Sequence, residues 1–143
     1  MTVRKFDEFI GDIVKKQSKD KSRADFLLRE SDNSYKSLQE MAAKVSLSDA
    51  NANLFVKMCY DILMEIIRAR MLLDGYNATG QGAHEAEVSY MRVLKFDEND
   101  VQFADQLRFF RNGMLYYGTI IDKVYAEKVM EFLKKIYPKL KAI

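Results

Sequence analysis

FVKMCYDILMEIIRARMLL, Phe55 to Leu73, is apolar nearly all round. At about 100° per residue its charged Lys57, Asp61, Glu65 and Arg68 fall in a stripe under a quarter-turn wide, so a helix here is buried on most of its sides. Two arrangements meet that demand. Either the helix is the centre of a bundle, or its second apolar face meets another copy of the chain. A small bundle has little room to cover a helix completely, which favours a homodimer.

The rest of the composition agrees with helices. The chain has 143 residues, one proline and six glycines, which suits long helices better than turn-rich sheets. That length fits a single domain over residues 1–143 with a core large enough to fold without staples. The single cysteine, Cys59, has no partner for an internal disulfide, and no secretory or membrane-spanning segment is evident, so a cytoplasmic protein away from membranes is expected. A formal net charge of +2 gives no strong general field for nucleic acid and leaves room only for a local basic patch.

Outward from Phe55–Leu73 the pattern repeats. Phe6, Phe9, Ile10, Ile13 and Val14 keep helical spacing from Val3 until the polar run KKQSKDKS, predicting a first helix. Ser22 with Asp25 reads as a capping box, followed by Leu28, Ser31, Tyr35, Leu38, Ala42 and Val45 on one face. Ser48 is placed to cap the central helix, and Asp74-Gly75 to stop it. GYNATGQGAHE lacks the preceding strand and the Lys-Ser/Thr ending of a phosphate loop and reads as a helix-to-helix connection. A short helix over Glu85–Leu94 follows, then DEND starts one over Val101–Tyr117. Thr119 with Asp122 caps a last helix that Pro138 should end near Tyr137. The expected fold is all-α: an up-and-down antiparallel bundle of about four long helices plus one or two short ones.

Few residues offer chemistry. One histidine, His84, and one cysteine exclude the ligand clusters of ordinary zinc sites, and no Ser or Cys nucleophile sits beside a plausible base. Asp61 and Glu65 lie one turn apart, but Arg68 and Lys57 compensate them, so no metal or other cofactor is expected. His84 reads as a turn residue. The remaining feature is LRFFRNGMLYYG, Leu107 to Gly118. There Phe103, Leu107, Phe110, Met114 and Tyr117 share an apolar arc, while Asp105, Arg108, Asn112 and Tyr116 form a polar row with Phe109 beside it and Arg111 at its border. Two arginines, an amide, a phenol and an aromatic ring can grip a phosphate and stack a base. Arginine and tyrosine equally dominate subunit contacts, so interface and ligand site both remain open on the residues alone. Gly113, unfavourable in a helix interior by about 1 kcal/mol, points to close approach by another backbone or a ligand.

LRFFRNGMLYYG, preceded by YDILMEIIRARMLLDGYNATGQGAHEAEVSYM, resembles the HEPN (higher eukaryotes and prokaryotes nucleotide-binding) domains, most of all their small stand-alone archaeal and bacterial members. The similarity runs from about Ala52 to Lys139. It implies a helical bundle in which an Arg-Asn-x-x-x-His motif meets its copy across a homodimer interface to form a cleft. Many such proteins are metal-independent ribonucleases, often toxins paired with a minimal nucleotidyltransferase antitoxin; others are non-catalytic binding or interaction modules. Carried onto this sequence, Arg111 and Asn112 match the Arg-Asn pair, and Tyr116 stands where the histidine would be. A phenol, with a pKa of about 10, is a poor general base at neutral pH. The resemblance therefore implies binding of RNA or a nucleotide by Arg108, Phe109, Arg111, Asn112, Tyr116 and Tyr117, with Arg111, Asn112 and Tyr116 as the residues of any weak nuclease activity. Its alternatives are a true ribonuclease toxin, with Tyr116 or His84 handling protons, and an interaction module.

Overall fold

Helix α2, Ala52–Leu73, has thirteen of its residues buried, among them Phe55, Ile62, Leu63, Ile66 and Ile67. The structure, a computed structural model, describes residues 2–116 and 121–142, and of residues 114–116 the backbone alone. Around α2 stand α1 (Lys21–Lys44), α3 (Ala83–Val93), α4 (Glu98–Tyr116) and α5 (Lys123–Ala142), each packed against it. One hydrophobic cluster takes residues from all five helices and from the N-terminal segment. The described residues are thus mostly helical, as the composition implies, with one small two-stranded sheet. A single chain suffices to cover α2, so the near-complete burial of this helix is no argument for a second subunit. None of the helices among the described residues is long and apolar enough to cross a membrane.

The N-terminal segment departs from the expected helix. Phe6–Phe9 is a 3-10 turn, and Val14–Lys16 is a strand, β1, paired antiparallel with β2, Tyr76–Ala78, in the register Val14↔Ala78. Both helix types bring residues three apart onto one side, so Phe6 and Phe9 are buried as the spacing requires although the α-helix is missing. Gly11, at φ +97°, turns the chain out of helical geometry, and β-branched Ile13 and Val14 suit the extended pairing that follows. The glycine-rich connection is correspondingly more than a link, because it supplies β2. Gly75, at φ +86°, accepts a hydrogen bond at its carbonyl from the Gln17 N–H, and a Cβ there would stand 2.8 Å from the Gln17 carbonyl oxygen. The stop predicted after Leu73 is therefore also the place where the N-terminal segment docks.

Three helix ends differ from their sequence signals. Asp20, rather than Ser22, caps α1 by accepting the Arg23 N–H at 3.0 Å, and Asp25 pairs with Lys21 instead. The face expected to run on to Val45 holds through buried Ser31 and Leu38, but Val45 is exposed. Asn51 is the N-cap of α2, and Ser48 donates its backbone N–H to the Asn51 Oδ1. At the other end of the chain Pro138 does not stop α5, which continues to Ala142. Tertiary contacts hold that last stretch: Leu140 is fully buried, Arg70 donates to the carbonyls of Leu140 and Lys141, and Asp32 accepts from both Tyr137 and Lys141. Together they outweigh one missing backbone donor. Asp122 caps α5 as expected, by accepting the Tyr125 N–H, whereas Thr119 lies outside the described residues.

The N-terminal segment is clamped onto the start of α4 through Arg92, which donates to the carbonyls of Val3 and Arg4 and pairs with Glu98. Two predictions follow from this packing. Phe9→Ala should cost about 3–5 kcal/mol in urea denaturation, the loss typical of a buried phenylalanine; a loss under about 1 kcal/mol would mean that the segment lies outside the core. Arg92 first, then Gln102, holds the Glu98 carboxyl down at about 2, against an ordinary 4.5. A carboxyl depressed in the folded state stabilises above its unfolded pKa and loses that effect as pH falls through the folded one. Wild type should thus unfold at a higher temperature than Glu98→Gln near neutrality, with the two converging between about pH 4.5 and 2; parallel curves would contradict this.

Candidate anion site on the fourth helix

Helix α4 is anchored by the apolar arc read from its sequence. Val101, Ala104 and Leu107 are buried, Phe103 packs on Phe132 with ring centres 4.5 Å apart, and Phe110 meets Tyr125 edge-on at 4.8 Å. Those contacts fix the rotation of the helix and bring Arg108 and Arg111 near enough to Tyr60 of α2 for it to feel both charges. The Met114 and Tyr116 side chains and all of Tyr117 and Gly118 lie outside the described residues.

The polar row is not the open strip that its periodicity suggests. Asp105 is buried and accepts a hydrogen bond from Arg108 Nε at 2.8 Å, so a pair one turn apart neutralises itself inside the protein. The Arg108 guanidinium also lies 4.6 Å over the ring of Phe109, whose own side is half exposed. Arg111 is different. Its Nε is buried and has no hydrogen-bond partner, and among the described residues it pairs with no carboxylate. Asn112 is half-buried beside it, and Gly113 is buried.

Opposite these arginines α3 carries two carboxylates. Glu87, 1 % exposed, takes Arg68 of α2 in a two-pronged contact at 2.7 and 3.2 Å, and His84 Nδ1 lies 3.3 Å from its Oε1. Arg68 thus bonds Glu87, while its charge still acts, as expected, on Glu65 of the Asp61–Glu65 pair. Glu85 is held by Arg4 at 3.1 Å, and that bond, with a smaller contribution from Arg108, keeps its carboxyl below the usual range. Between the two helices sits Tyr60. Burial first, then the charge of Glu87, holds its phenol well above the ordinary value, while Arg108 and Arg111 pull the other way. It is a protonated, buried phenol and no base.

The other candidates stand apart from this seam. Asp61 is exposed, and Glu65, whose carboxyl is raised by burial and by the nearby Asp61 and Glu30, lines with them a cavity of about 400 Å3 between α1 and α2. Among the described residues no three metal-ligating side chains converge. Cys59 is buried, and burial pushes its thiol up to about 12, which leaves it unreactive.

Arg111, Arg108, Phe109 and Asn112 therefore share one helix, as expected, but Tyr60, Arg68, Glu87, Glu85 and Arg4 belong to the same polar seam and were not read from the sequence. Only Glu87 left a signal there, as an acid set between the apolar Ala86 and Val88. No family model, curated protein or solved structure matches the chain. The likeness to HEPN domains stays a resemblance of motif and spacing.

Breaking the Arg68–Glu87 contact tests whether it holds the seam together. Arg68→Ala leaves a buried, uncompensated carboxylate and should cost about 3–5 kcal/mol, whereas the Arg68→Met/Glu87→Gln double variant should recover much of that loss. Equal stability of the single and double variants in a denaturant titration would remove this account.

Proposed function

We propose that this chain is a HEPN-like helical bundle that binds RNA or a nucleotide through Arg111, in a cleft shared between two copies of the chain, with weak or no cleavage. The observation that supports it most is a balance of charges. Arg4 is matched by Glu85, Arg68 by Glu87 and Arg108 by Asp105, each within 3.1 Å at its shortest contact, while Arg111 is left with a partnerless Nε. A half-buried guanidinium gains most from an anion that it can meet with two parallel hydrogen bonds, and a phosphodiester is such a group. Phe109, 46 % exposed on the same helix, supports both a base stacked on the ring and coverage by a second copy. Asn112 adds an amide at the position that the motif requires.

Catalysis has less support. Tyr60, whose phenol feels the charge of Arg111, and Tyr125, packed on the adjacent Phe110, are both held in the protonated form by burial. Tyr116 replaces the histidine of the resembled motif, and an ordinary phenol gives up its proton too reluctantly to act as base at neutral pH.

Fluorescence anisotropy with a short labelled single-stranded RNA tests the reading. Arg111→Ala should bind at least about ten-fold more weakly than wild type at low salt, the usual worth of a charge-assisted contact, and Arg111→Lys should keep part of the affinity. Equal affinity of wild type and Arg111→Ala, or no binding by either, would overturn it.

A further inference from the structure

The outer face of α1 carries a phenylalanine that packing does not explain. Ala24, Ser31 and Leu38 are buried and turn that helix toward α2, and at about 100° per residue Phe26 falls on the side away from them, where it stands 52 % exposed. Arg23 and Arg29, both exposed, lie three positions before and after it and so flank the ring on either side.

These arginines belong to a local surplus of positive charge in a chain that is otherwise nearly neutral. From Lys15 to Arg29 there are six cations and two acids, and both acids are engaged. Asp20 caps α1 through the Arg23 N–H, and Asp25 pairs with Lys21 at 2.8 Å. Among the described residues Lys15, Lys16, Lys19, Arg23 and Arg29 pair with no carboxylate. Two backbone bonds hold the stretch in place. The Gln17 N–H donates to the Gly75 carbonyl and the Asp20 N–H to that of Leu72, which lays residues 17–20 along the end of α2 and leads from Lys15 and Lys16 on β1 to the first turn of α1. Between this link and that turn lies an open cavity of about 530 Å3, lined among others by Lys19, Lys21 and Ser22, a size usual for ligand sites. Ser22 stands one turn before Phe26, so cavity and exposed ring adjoin on one side of the helix.

An exposed ring between two arginines, with lysines leading up to it, suits a flexible polyanion that carries flat, unpaired bases. The ring can stack a base of any identity, and the guanidinium groups can take phosphate oxygens in pairs. A lipid surface fits this face less well, because an interfacial helix needs a broad apolar side, and the residues around Phe26 on the outer face are Ser22, Arg29 and Asn33. We propose that the outer face of α1, together with the link from β1, is a docking surface for single-stranded nucleic acid, with Phe26 stacking a base and Lys15, Lys16, Lys19, Arg23 and Arg29 following the phosphates. It shares no residue with the Arg111 site and stands independently of that reading.

Arg111→Ala is the background for the test, since it removes the contribution of the other site. A labelled oligouridylate of about twelve nucleotides is followed by fluorescence anisotropy from about 50 mM salt upward. Adding Phe26→Ala to that background should weaken binding about ten-fold, the worth of one stacked base. Adding Arg23→Gln with Arg29→Gln should make the plot of log affinity against log salt shallower by about 1.4, the share of two phosphate contacts on a single strand. All three residues are exposed, and circular dichroism verifies the fold of each variant. Absence of binding by Arg111→Ala, affinity unchanged by Phe26→Ala, or a salt slope unchanged by the two arginine substitutions overturns the proposal and leaves the Arg111 site to its own test. Binding by Arg111→Ala that equals wild type and is lost with Phe26→Ala supports the α1 surface while removing the Arg111 site. Vesicles of phosphatidylcholine and phosphatidylserine supply the remaining arm: Phe26-dependent binding to them, with RNA binding indifferent to Phe26→Ala, gives this face to a membrane and overturns the proposal.

Discussion

Helix α2 can leave little more than its Lys57–Asp61–Glu65 strip to water, and the structure answers that constraint by packing the four other helices on it. Burial of apolar surface is worth about 25 cal/mol per Å2, so a helix with thirteen buried residues sets the terms on which the others fold. Four helices and β2 pack on it, and several polar contacts serve the same end: Arg70 holds the end of α5 against α2, and Asn53 takes the backbone N–H of Ile121 at the entry to that helix. Pro138 is carried along by this packing. A helix that buries Ile136 on one side of the proline and Leu140 on the other gains more by continuing than it loses at one missing hydrogen bond.

The same constraint creates the polar seam. Where α3 and α4 close over Tyr60, charged side chains have to enter a region that is largely dry, and they enter in pairs. Glu87 brings Arg68, Asp105 brings Arg108, and Glu85 at the margin brings Arg4. Pairing of this kind is what a low-dielectric environment demands, since an isolated buried charge costs far more than a matched one. Among the described residues Arg111 is the exception, with a buried Nε that has no hydrogen-bond partner.

Much of the helical content was legible in the sequence. The central helix, its stop at Asp74-Gly75, the short helix after the glycines and the long helix carrying LRFFRN all follow from apolar spacing and end signals. The N-terminal segment was misread because spacing reports which residues are buried before it reports the backbone that buries them. Phe6 and Phe9 go into the core from a 3-10 turn as well as from an α-helix, and the pairing of Val14 with Ala78 is a contact across sixty-four residues that local pattern cannot express. The candidate site divides in the same way. Arg108, Phe109, Arg111 and Asn112 stand out because a helix interior seldom carries them together, whereas Asp105 looked like an exposed member of their row and is buried.

By itself the sequence determined that the chain would be helical, that Phe55–Leu73 would be buried on most of its sides, and that the arginines of LRFFRN would share one helix, because these depend on periodicities of a few residues. Only the tertiary structure decided which charges cancel. Ion pairs such as Arg68–Glu87 and Arg4–Glu85 join residues 19 and 81 positions apart, and whether a given arginine is satisfied or left over depends on which carboxylates folding brings within reach. Arg108 and Arg111 have the same chemistry on the same helix, and among the described residues only Arg108 has a carboxylate paired with it.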